Sequence, residues 1–142
     1  MRSVPVTLLP RRLRYGLAVG VASAVFLASV VDPPATGAPS TFLGLPADKW
    51  LHAVAYAALA GAVGYAALGT GRLSPRELFV VFCLAAGYGF AVELVQAPLP
   101  ARAFDPTDAV ANAVGAAAGT APFRRLRGRN PTPLSGRAGN EG

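Results

Sequence analysis

The sequence predicts an all-α protein, a four-helix transmembrane bundle with both termini on one side. Three observations carry this. Hydrophobic residues make up 53% of the 142 residues and charged ones only 14%, where a soluble domain holds about 25% charged. The apolar residues gather into four segments parted by short stretches of proline, glycine and charge. The basic residues fall at the ends of those segments, so the net charge of +6 reads as a topology signal. No arginine stripe follows a single amphipathic element, and nucleic acid is not an expected partner.

Residues 1–14 form a basic N-terminus in which Pro5 and Pro10 oppose an early helix. The first span is expected over about 15–31, uncharged throughout and near the lower length limit for crossing a membrane. A cleaved signal peptide ending near Ala38 is the alternative; the apolar run exceeds a usual signal core, which favours a retained helix. Asp32, Pro33 and Pro34 stop it. The loop over 32–47 includes Thr41 to Leu45, expected to rest on the membrane surface. Asp48 is the expected N-cap of the second span, about 50–68, with Trp50 as an interfacial anchor.

Gly69, Gly71 and Pro75 mark the next turn. Ser74-Pro75-Arg76-Glu77 is a helix start: a capping residue, proline at the first helical position, then an acid. The third span is expected over about 78–97 and holds the single cysteine, Cys83, read as a small buried hydrophobe. Pro98 and Pro100 end it. Thr107 or Asp108 starts the fourth span, about 108–123, rich in alanine and glycine and suited to packing among the others. Gly115 and Gly119 make a G-x-x-x-G, which permits close helix approach. The tail over 124–142 is basic, then rich in glycine, proline and serine, and is expected to be disordered.

Four spans put the N-terminus, the 69–77 loop and the tail on one side, with all of the 13 basic residues except Lys49 and Arg102. The other side holds all of the seven acids except Glu77 and Glu141. The positive-inside rule then predicts a multi-pass cell-membrane protein with both termini cytoplasmic.

The outward side carries the candidate site. Asp48, His52 and Tyr56 lie four apart and share one face of the second span. Glu93 and Gln96 share a face near the outer end of the third, and Asp108 and Asn112 open the fourth. Arg102 and Asp105 lie in the connection. His52, Glu93 and Asn112 each sit roughly one turn, about 5 Å, inside the outer boundary. Burying ionisable groups in lipid is costly, so these groups are expected to turn inward onto one another. A contact of Arg102 with Glu93 or Asp108 is expected.

The pattern DKWLHAVAYAALA, GYGFAVELVQ, RAFDPTDAVANAVGAAAG resembles the VanZ-like membrane proteins. In that family Asp-Lys-x-x-His-x-x-x-Tyr precedes Glu-x-x-Gln, and an arginine then leads to Asp-x-x-x-Asn-x-x-Gly. The matching positions are Asp48, Lys49, His52 and Tyr56, then Glu93 and Gln96, then Arg102, Asp108, Asn112 and Gly115. The match runs from residue 48 to 119, roughly half the chain. The resemblance implies an envelope-related membrane protein, in a family whose founding members are associated with resistance to the glycopeptide teicoplanin. It supplies no reaction.

Two functions compete. In one, the outward polar pocket binds a lipid-linked envelope ligand, and membrane lipids are the other partners. In the other, the chain is a membrane-embedded enzyme on lipid headgroups, with His52 as base or metal ligand and Asp48, Glu93 and Asp108 as acids or further ligands. The sequence has one histidine, no H-E-x-x-H and no phosphate loop, and no catalytic residue, metal or cofactor is assigned from it. Interhelical polar bonds with no ligand are the bland alternative.

Overall fold

The computed structural model describes residues 3–30, 41–97 and 105–130. Four helices form its body: α1 (Arg11–Val30), α2 (Ala47–Ala67), α3 (Pro75–Gln96) and α4 (Pro106–Thr120). The first three are long and apolar enough to cross a membrane. With 15 residues, α4 is about 22 Å long, short of a hydrocarbon core of about 30 Å.

Small residues decide how the helices approach. A Cβ on Gly115 would stand 2.1 Å from the Ala53 carbonyl oxygen, and one on Gly119 would stand 2.2 Å from that of Ala57. The two glycines therefore let the α4 backbone lie directly on α2, one turn apart. Inside sit Tyr56, Leu59, Ala60, Ala85 and Ala116. Outside are large apolar side chains, among them Leu17, Val19, Leu27, Val54, Phe79, Leu84, Phe90 and Val114. This reverses the soluble pattern, and the small interior carries the close packing of backbone on backbone.

The termini meet the α2–α3 turn at one end of the bundle. Strands β1 (Val4–Thr7) and β4, the last strand (Leu126–Arg129), pair in parallel, and Gly71 exchanges backbone hydrogen bonds with Gly128. The Arg14 guanidinium donates to the Tyr65, Ala66 and Leu68 carbonyls, satisfying the end of α2. The Tyr65 hydroxyl accepts from the Leu9 N–H and donates to the Thr7 carbonyl.

Several boundaries differ from the sequence reading. The all-α expectation omitted the strands; residues 126–129 belong to β4 instead of a disordered tail, because residues 4–7 offer them an open backbone edge. Within residues 41–46, β2 (Thr41–Phe42) and β3 (Leu45–Pro46) form a hairpin. Its two-residue turn has Leu43 at φ 51° and Gly44 at φ 77°, the left-handed pair that suits strand twist. Asp48 is not the cap of α2: the helix begins at Ala47 after Pro46, and Asp48 lies in its first turn. Asp105, not Thr107 or Asp108, caps α4, accepting from the Thr107 N–H at 2.8 Å with Pro106 at the first helical position. Cys83 is exposed on the outer face of α3, not buried. Ser74 and Glu77 make a reciprocal capping box at the start of α3.

Candidate functional site

The site lies at the opposite end from the strand pair, where α2 and α4 begin and α3 ends. On α2, the spacing of Lys49, His52 and Tyr56 turns all three toward α4 and α3. Lys49 Nζ lies 2.6 Å from Asp105 Oδ2, 2.6 Å from Asp108 Oδ1 and 3.1 Å from Asp48 Oδ2. One ammonium thus joins the start of α2 to the cap and first turn of α4. It pulls the Asp105 carboxyl down to about 2, assisted by the Thr107 hydroxyl and N–H. Asp48 itself is largely exposed.

One turn deeper, His52 Nδ1 lies 3.0 Å from Asn112 Oδ1. Asn112 is buried, and its oxygen can only accept, so Nδ1 carries the proton. Nε2 faces the Asp108 carboxylate, 3.7 Å away. Glu93 is 2% exposed, and its Oε1 has no hydrogen-bond partner among the described residues; the same holds for Asn112 Nδ2. One ligand atom each from His52, Glu93 and Asp108 lies within 4.8 Å of the others.

Among the described residues, the expected set is brought together except for Gln96. Tyr56 packs beneath His52. Gln96 turns to α1 and donates to the Ser29 carbonyl at 2.6 Å. Arg102, with its expected contact to Glu93 or Asp108, lies outside the described residues.

No family model, curated protein or solved structure matches the chain. Its site is accordingly read from its own geometry.

A cleft of about 370 Å³ opens beside His52, between α1, α2 and the end of α3. Val25 and Leu51 give it apolar walls, while Asp48, His52 and Gln96 line its polar end. A larger cleft of about 590 Å³ borders the strand pair, lined by Thr70, Gly71, Arg127 and Arg129. The smaller one is bordered by His52 of the convergent groups and by Asp48, and size alone does not make a site.

Sequence reading missed Gly89 and Ser29. A Cβ on Gly89 would stand 2.8 Å from the Tyr56 ring and 3.0 Å from Asn112 Nδ2. Gly89 therefore makes the space in which Tyr56 and Asn112 meet. Its place one turn before Glu93 on the same face was the available signal. Ser29 contributes only a backbone carbonyl, which leaves no trace in residue type.

Proposed function

We propose that the chain is a four-span membrane protein of VanZ-like type, with both termini cytoplasmic and a pocket facing out of the cell. The pocket binds a lipid-linked envelope ligand at the level of the headgroups, and this binding alters sensitivity to envelope-directed, glycopeptide-type drugs. The single observation that carries the reading is the cleft beside His52. Its apolar walls suit a hydrocarbon chain, and its polar end suits a headgroup.

The membrane part draws on the three long apolar helices and on the large apolar side chains that cover the outside of the bundle. The fourth span is α4, whose glycine-rich face lies on α2. The orientation draws on the basic residues, which belong almost wholly to the strand-pair end. The family likeness draws on the spaced residues from Asp48 to Gly115.

The test replaces His52, Glu93 and Asn112 with alanine one at a time and compares membrane abundance with envelope-drug sensitivity. The expected result is an altered sensitivity at unchanged abundance. A change explained wholly by lost protein would leave a cluster that only ties helices together. Reporter fusions at the C-terminus and within residues 69–74 should both report cytoplasm; opposite sides would end the four-span reading.

The convergence of His52 with two carboxylates favours a second reading, an enzyme acting on lipid headgroups with His52 as general base. Turnover of envelope lipids by the purified chain, abolished in His52→Ala, separates it from a binding protein.

A further inference from the structure

We propose that His52, Glu93 and Asp108 form a binding site for a divalent metal cation, of which Zn²⁺ is the best-fitting type. Three independent features of the outer end lead there. The first is convergence: three groups on three different helices, α2, α3 and α4, bring ligand atoms within 4.8 Å. Metal–ligand bonds of about 2.0–2.2 Å set tetrahedral ligand atoms about 3.4 Å apart. The widest pair therefore draws in by up to about 1.4 Å around a cation.

The second is proton placement. Asn112 Oδ1 holds the His52 Nδ1 proton at 3.0 Å, so Nε2 is the ring nitrogen left to meet a cation on the Asp108 side. This is the arrangement in which a partner oxygen sets the tautomer of a metal-binding imidazole. Lys49 does the corresponding work for Asp108, orienting its carboxylate from 2.6 Å.

The third is an unmet demand. Glu93 is 2% exposed with Oε1 unpartnered among the described residues. An unpartnered buried carboxylate oxygen is costly, and here it belongs to the same three-residue cluster. The sign of the local charge agrees. Asp48, Asp105 and Asp108 share the Lys49 ammonium, and with Glu93 the acids of the cluster outnumber its bases among the described residues. One nitrogen and two carboxylate oxygens suit a borderline cation such as Zn²⁺ better than Mg²⁺ or Ca²⁺, which prefer all-oxygen ligands.

Three protein ligands leave coordination positions open. His52 also lines the cleft. Resting on the pocket reading for this last step only, we assign the open position to an anionic oxygen of the headgroup.

The experiment uses the full chain, purified without a polyhistidine tag and held in lipid nanodiscs. His52 is the chain's single histidine, so any histidine nitrogen on the metal must be its own. Calorimetric titration with Zn²⁺ is expected to give one equivalent per chain, and Cu²⁺ as a probe is expected to show one histidine nitrogen by pulsed electron paramagnetic resonance. His52→Ala, Glu93→Gln and Asp108→Asn should each weaken Zn²⁺ binding at least tenfold; Asn112→Ala, acting through His52, should weaken it about 10- to 100-fold. The wild-type resonance spectrum needs no variant, so a misfolding substitution leaves the test intact. No stoichiometric binding by the wild type overturns the site. So does binding that survives all three ligand replacements, or a site that appears only in Arg102→Ala, which would make Arg102 the counterion. Because the titration contains no envelope ligand, its failure leaves the pocket standing. A drug sensitivity unaltered in well-inserted Glu93→Ala and Asn112→Ala would instead remove the pocket and leave the cation.

Discussion

His52 Nδ1 and Asn112 Oδ1, 3.0 Å apart, join α2 to α4 across a distance of sixty residues. Both side chains are within the bundle, and neither can turn to water without breaking the pair. Interhelical hydrogen bonds in membrane proteins contribute about 0.6 kcal/mol on average and up to about 1.7. A double-mutant cycle of His52→Ala and Asn112→Ala, read by denaturant unfolding in micelles, should give a coupling within that range. Zero coupling would mean that the two atoms are neighbours without a bond.

Backbone contact between α4 and α2 sets a second expectation. Gly115→Val must displace the Ala53 carbonyl, and Gly119→Val that of Ala57. Overpacking costs typically about 1–3 kcal/mol, and rigid backbone puts these sites at the upper end. Gly61 and Gly87 have open space around a Cβ, so alanine there should be neutral or stabilise by about 0.5–1 kcal/mol. Equal losses at all four positions would show that approach distance does not set the effect.

Gly89 offers a rescue experiment. Gly89→Ala places a methyl against the Tyr56 ring and Asn112 Nδ2, and should lower both stability and the response tied to the pocket. Shortening the ring in Tyr56→Leu, itself destabilising, should restore part of the loss when combined with Gly89→Ala. Strict additivity of the two would contradict their contact.

Asp105 gives a pH dependence of known sign. Its folded carboxyl is depressed to about 2 by Lys49 first and Thr107 second, below the ordinary value of about 3.9. Its contribution to stability is therefore complete above about pH 4 and lost as pH falls toward 2. Asp48 and Asp108 share the same Lys49 ammonium. The carbon resonance of the Asp105 carboxyl, followed by NMR, should titrate near 2 in the wild type and rise in Lys49→Ala, the Thr107 hydrogen bonds keeping it below the ordinary value.

Much of this was legible in the residues. Ser74 to Glu77 announces the start of α3 because capping chemistry is local. Asp48, His52 and Tyr56 declare a shared face because the helical repeat fixes their directions. Asp105 was passed over as the cap of α4, since Thr107 and Asp108 have the same capping chemistry and only backbone angles choose among them. The β1–β4 pair was invisible, because pairing between residues 4–7 and 126–129 depends on the helices bringing both ends to one place.

By itself the sequence determined the apolar segments, their punctuation, the separation of acids from bases and which side chains each helix carries on a face. These follow from solvent preference and helical periodicity, which act within a few residues. Only the tertiary structure decided that α4 lies on α2 through Gly115 and Gly119, that His52 takes its proton partner from Asn112, and that Glu93 Oε1 is enclosed without a partner among the described residues. Each depends on distances of a few tenths of an ångström between helices, and such distances are set by packing the whole bundle at once.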